Sequence, residues 1–257
     1  MTSKTSTSKT SESVLRLAVV ALLIATVELL CRFGVIPVAV MIAPSRMAIE
    51  LTKILASGEF SADIVSSIGN VLISTVLSVT LGFIAGLIIY SLPSLRAALE
   101  PLLASYYAVP TFIFYPVFIS LFGVGSGAII AIAVLLAIAS MITATLSGLD
   151  RIPPVLRKTG RMYRMSRVKT AVMIELPAAA PYLFTGIKLS VAYSFIGVIA
   201  SEFILSGSGI GYAIAYAYNN FENGHMYALM LLIIVLAAGV NTLLNGVDKR
   251  LQMRRQR

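Results

Sequence analysis

Six long, predominantly apolar runs, at roughly 14–34, 66–91, 102–122, 127–147, 182–205 and 226–247, leave this chain few ways to fold. About 20 apolar residues coiled as a helix cross the hydrocarbon core of a bilayer. Lipid offers no partner for a backbone amide, so each run has to close its own hydrogen bonds as a helix. Composition agrees: 58% of the 257 positions are apolar, 12% are charged and mean hydropathy is +0.92, where soluble domains carry about 25% charged residues. The expectation is an all-α integral membrane protein of six transmembrane helices, with one membrane domain over 14–257. Residues 1–13 are polar, rich in Ser and Thr, and read as a disordered tail. That tail resembles the n-region of a signal peptide, but no A-x-A pattern follows. Leu30 also precedes Cys31 where a lipoprotein signal needs a small residue, so the first run reads as a retained span.

Charge placement orients these spans. The formal net charge is +9, but the cations sit in blocks beside apolar runs, a pattern of membrane topology and not of nucleic-acid binding. With the N-terminus inside, the inner segments hold Lys4, Lys9 and Arg16; Arg96; Arg151, Arg157, Lys158, Arg161, Arg164, Arg167 and Lys169; and Lys249, Arg250, Arg254, Arg255 and Arg257. Of the 20 basic residues only Arg46 and Lys53 then fall in outer loops, and Arg32 and Lys188 within spans. The positive-inside rule therefore places both termini in the cytoplasm. Cys31 has no partner for an internal disulfide, and with the lone His225 it makes no tetrahedral zinc site. No G-x-x-x-x-G-K-[ST] occurs, and Gly207, Gly209 and Gly211 lead into no strand–helix unit. A Ser/His/Asp set cannot be assembled either. The chain is expected to bind no cofactor and to hydrolyse no ATP by itself.

Inside the spans, Ser74, Ser78, Gly82 and Gly86 repeat every four residues. They form a stripe that is either a moving gate interface or a static packing seam. Pro101, Pro110 and Pro116 predict bends in the third span. Tyr106, Tyr107 and Tyr115 surround those bends; with Tyr193 and Ser194 they are candidates for lining a pathway, interfacial anchoring being the other reading of the tyrosines. Glu28 and Arg32 lie one turn apart and read as a structural pair. Glu202 precedes the glycine-rich segment 206–211 and either touches substrate or holds that loop. Lys188 reads as snorkelling to the inner surface. In the long outer segment 35–65, Pro44-Ser45 followed by Met47, Leu51, Ile54 and Leu55 predicts a short helix with an apolar face, lying on the membrane or spans or docking an external protein.

Between the fourth and fifth runs lies the basic stretch 157–177, RKTGRMYRMSRVKTAVMIELP. It resembles the EAA loop of bacterial ABC importer permeases, E-A-A-x3-G-x9-I-x-L-P. Lys158, Thr159 and Gly160 stand at the E-A-A positions, Arg164 at the glycine, and Ile174-Glu175-Leu176-Pro177 at the end. The spacing and the final motif match, whereas the E-A-A and the glycine do not. Ala43-Pro44-Ser45, Val109-Pro110, Pro116 to Gly125, Ala200-Ser201-Glu202 and Gly209-Ile210-Gly211-Tyr212 resemble, in order, motifs of the nitrate/sulfonate/taurine-type branch. The resemblance implies a type I ABC importer permease that moves a small anionic solute. Its implied partners are two ABC ATPase subunits carrying ATP and Mg, a second permease subunit (the same chain or a different one) and a periplasmic solute-binding protein. It also implies that the loop at about 150–177 is a coupling helix docking on the ATPase, through Arg157, Lys158, Thr159, Gly160, Arg161, Arg164, Ser166, Arg167, Ile174, Leu176 and Pro177. Its cations meet an acidic rim there or only enforce topology. An arginine at the glycine position predicts that the turn is rebuilt, since a left-handed residue other than glycine costs roughly 1 kcal/mol or more. An ion-gradient-driven secondary transporter is the alternative, without the inverted repeat or ordered acidic residues it calls for.

Overall fold

The computed structural model describes residues 9–255. Residues 1–8 of the expected tail lie outside the described residues, and the first helix, α1 (Lys9–Arg32), begins within the tail's last five positions. There follow α2 (Pro44–Ser57), α3 (Ser61–Ser91), α4 (Pro93–Ser105), α5 (Tyr115–Phe122), α6 (Ser126–Asp150), α7 (Pro154–Met162), α8 (Arg167–Thr170), α9 (Leu176–Leu205), α10 (Ile210–Asn219) and α11 (Asn223–Arg255). Among the described residues, four helical stretches are long and apolar enough to cross a membrane: Ser61–Ser91, Ser126–Asp150, Arg167–Ile204 and Asn223–Asp248. They occupy the second, fourth, fifth and sixth expected runs, and α1 occupies the first.

The third run departs from expectation. Instead of one bent helix it is a broken one: the stretches Pro93–Ala108 and Thr111–Phe122 meet at 97° and count as a fifth crossing only if taken together. The physical reason is Pro110. A proline disfavours helical backbone in the residue before it, and Val109 is extended (φ −85°, ψ 122°). The chain bridges the gap with 3₁₀ turns at Tyr106–Ala108 and Thr111–Phe114.

The chain divides into two compact units. In the first, up to Phe60 with Ile214–Leu232, α2 buries Met47, Leu51 and Ile54. Leu55, expected on that face, is instead exposed. Glu28 confirms its structural reading: its carboxylate pairs with Arg32 at 2.6 Å and accepts from the Ser45 amide at 2.9 Å and hydroxyl at 2.7 Å. A side chain of α1 thus satisfies a free amide at the start of α2, which has no side-chain cap of its own.

In the second unit, Ser61–Ala213 with the chain from Ile233 onward, α3, α6 and α9 pack together over small residues. Ser74, Ser78, Gly82 and Gly86 all face inward. A Cβ on Gly82 would stand 2.8 Å from Met141 Cβ, and one on Gly86 2.7 Å from Thr145 Cβ. The stripe is therefore a close seam between α3 and α6. The buried hydroxyls along it bond back into their own helices, Ser78 to the Ser74 carbonyl at 2.6 Å and Thr145 to that of Met141 at 2.7 Å. The hydroxyls of Ser78 and Thr145 thus pack at close range with their hydrogen bonds made within their own helices.

Candidate functional site

The basic stretch folds as a two-armed hairpin between α6 and α9. Pro154 stands in the first turn of α7, where its missing N–H is one the helix leaves free anyway. The far end of α7 is a Schellman cap: the Arg164 amide donates to Arg161 O and the Met165 amide to Gly160 O, both at 3.0 Å. Arg164 occupies the left-handed position itself, with φ +50°. The expected rebuilding of the turn does not occur. Arginine adopts the conformation glycine would take, because both cap hydrogen bonds require it.

The second arm starts at Ser166, whose hydroxyl accepts from the Lys169 amide at 3.2 Å and caps α8. A π-helical turn, Ala171–Glu175, then leads into α9, with Leu176-Pro177 in its first turn. The two arms meet at Gly160, which is buried: a Cβ there would lie 3.0 Å from Thr170 Cγ2 and 3.3 Å from Ile174 Cδ1. Ile174 of the terminal motif therefore locks the hairpin. The Thr159 hydroxyl bonds back to Val155 O at 3.0 Å.

Lys158, Arg161, Arg164, Arg167 and Lys169 are exposed, and among them stand Met162, Tyr163 and Val168, at 84%, 77% and 73% exposure. This is an apolar tip ringed by cations. Arg151 and Arg157 do not belong to that ring. The Arg151 guanidinium stacks 5.3 Å from the Tyr182 ring centre. Arg157 turns inward: Nη2 donates to Tyr90 Oη at 2.6 Å and to Leu149 O at 2.9 Å, and Nε to Glu175 Oε1 at 3.1 Å. Burial alone would lower the Arg157 pKa, but the bonds to Tyr90 and Glu175 raise it above the ordinary arginine value, so the group stays charged.

Three pathway candidates come together. The Tyr107 ring stacks on Tyr193 at 5.1 Å and meets Tyr106 edge-on at 5.7 Å, while Tyr106 Oη donates to Leu135 O. Ser194, next to Tyr193, is fully buried. Tyr115 is buried.

Glu202 is fully buried and takes the second of its two readings, holding the loop. It accepts from Ser67 Oγ at 2.6 Å, Asn70 Nδ2 at 3.4 Å and the Gly211 amide at 3.2 Å. Asp63 takes the Gly209 amide at 2.7 Å. Gly209 (φ +101°) and Gly211 admit no Cβ, which would run into Glu202 at either position. Lys188 pairs with Asp248 at 2.7 Å.

Sequence reasoning missed Asn70, although it stands four residues before Ser74 and extends the small-residue stripe. It missed Arg96 with Asp150 as well, a bidentate pair at 2.8 and 2.7 Å that ties α4 to α6. Asp150, an acid ending an apolar run, was the available signal.

A bundle of long apolar helices joined by a cation-ringed hairpin defines a polytopic helical membrane protein. The chain belongs to the family of binding-protein-dependent transport system inner membrane components, whose model matches residues 78–257. It is 26% identical over 187 residues to the nitrate import permease protein NrtB of Leptolyngbya laminosa, covering 73% of this chain and 67% of that one. It is 28% identical over 167 residues to the bicarbonate transport system permease protein CmpB of Synechococcus elongatus, covering 65% of this chain and 58% of that one. Among solved structures it is similar to an inward-facing form of the MetNI methionine ABC transporter, at TM-score 0.66 and 15% identity over 75% of this chain and 95% of that one.

Proposed function

We propose that this chain is the transmembrane permease subunit of an ATP-driven ABC importer for a small anionic solute. Membership in the binding-protein-dependent family supports this reading, and the observation that carries it is the exposed hairpin at 154–175. A cationic ring around Met162, Tyr163 and Val168 suits a partner groove with an acidic rim and an apolar floor. On this reading the chain has six spans in the type I arrangement, with both termini cytoplasmic in a bacterial inner membrane. It pairs with a second permease subunit, docks two ATPase subunits that carry ATP and Mg, and receives solute from a periplasmic binding protein. The substrate class follows the nitrate and bicarbonate permeases it resembles.

Reconstitution tests this. The complex purified with its ATPase partner is placed in liposomes and offered labelled nitrate or bicarbonate together with the binding protein. Uptake that requires ATP inside the cytoplasmic compartment is the expected result. Uptake driven by an ion gradient with the ATPase removed would overturn it in favour of a secondary carrier.

A further inference from the structure

We infer that Arg157 is a positioning residue, the joint that carries movement of the coupling hairpin into the membrane helices, and not a contact to the ATPase. This rests on the proposed function and deepens it. Among the cations of the hairpin, Arg157 gathers the cytoplasmic ends of three helices at one guanidinium: Tyr90 in the last turn of α3, the Leu149 carbonyl at the end of α6, and Glu175 at the entry to α9. These are the three helices that pack together in the second unit. Its guanidinium also lies 5.7 Å from the Tyr90 ring centre. Donors on two of its nitrogens are committed inside the chain, so facing a partner would break these bonds.

Neighbouring links reach less far. Arg96 ties α4 to α6, and Arg151 ties the end of α6 to α9. Among the described residues, Arg157 is the cation that makes such a link from the hairpin itself. The π-helical turn Ala171–Glu175 lies at the same point. Single π-helical turns within helices are frequent at functional sites, and here Glu175 closes the turn and accepts from Arg157. A rigid fork with several fixed donors transmits displacement in a way that a lysine, a point charge on a flexible stem, does not.

The test reads movement directly and needs no knowledge of the solute. In a Cys31→Ser background, a spin label at Ser208→Cys reports the outer end of α9, and ATP with vanadate traps the ATPase subunits closed. In otherwise unaltered complex, trapping shifts the label spectrum. In Arg157→Gln and Arg157→Lys the ATPase still copurifies and still traps nucleotide, but the shifted fraction falls about tenfold, as expected for losing charge-assisted bonds. Tyr90→Phe deletes a single hydroxyl and lowers the fraction a few-fold. It decides the matter should the Arg157 variants fail to accumulate. A full label shift in these variants overturns the inference, and so does loss of ATPase copurification, which would make Arg157 a docking contact. If instead no nucleotide-trapping partner associates with the unaltered chain, it is the proposed function that fails.

Discussion

Replacing Arg164 by glycine should tighten the hairpin while removing one of its cations, which separates turn geometry from charge. Arg164 holds φ +50° at the position that closes the cap of α7. That conformation costs a residue with a Cβ about 1–2 kcal/mol. Glycine escapes the cost but loses about 0.4–1 kcal/mol through its greater freedom in the opened chain. The net gain is about 0.5–1 kcal/mol, which slows opening of the cap about two- to fivefold. Hydrogen exchange at the Met165 amide, which donates to Gly160 O at 3.0 Å, reads this opening directly. Arg164→Ala is the control, since alanine bears the same left-handed cost and also lacks the guanidinium. The expected order is slower exchange in Arg164→Gly and an unchanged rate in Arg164→Ala. If both variants exchange alike, the left-handed backbone is not what limits the turn. On the proposed function, Arg164→Asp in turn uncouples transport from ATP hydrolysis by reversing the charge at the tip.

Three further outcomes follow from particular contacts. Ser166→Ala removes the cap on the Lys169 amide and weakens the start of α8 by about 1 kcal/mol, so exchange at Lys169 speeds up while Met165 is unaffected. Gly160→Val drives its branch into Thr170 and Ile174, parting the two arms, and limited proteolysis should then cut faster at 163–166. Glu202→Ala leaves Ser67, Asn70 and the Gly211 amide without their buried acceptor at about 1–3 kcal/mol for each donor. Thermal unfolding of the purified protein should fall sharply, and Glu202→Gln, which keeps one acceptor oxygen, should fall less.

How much of this architecture was readable in the chain depends on the range of the interaction involved. Span length is a local property, so the long apolar runs mark α3, α6, α9 and α11 without any knowledge of their neighbours. Hydropathy carries no direction, and the same reading therefore joined the two halves of the third run across Val109-Pro110, where the backbone rule for the residue before proline held the better information. Glu202 was legible as a costly buried charge, but its purpose was not: Ser67 lies 135 residues away, and only the pairing of α3 with α9 brings them together. Arg157 shows where composition stops being informative. It stands in a run of cations, and its type and spacing resemble those of Lys158 and Arg161. Gly160, one helical turn further on, was the usable clue. A residue with no side chain in an exposed helix marks the face against which another element packs, and Arg157 lies toward that face. The departures from the familiar loop pattern then take on separate meanings. Lys158 and Arg164 add exposed positive charge, whereas Gly160 and Ile174 keep the two arms together, and Arg157 ties the base of the hairpin to the helix bundle.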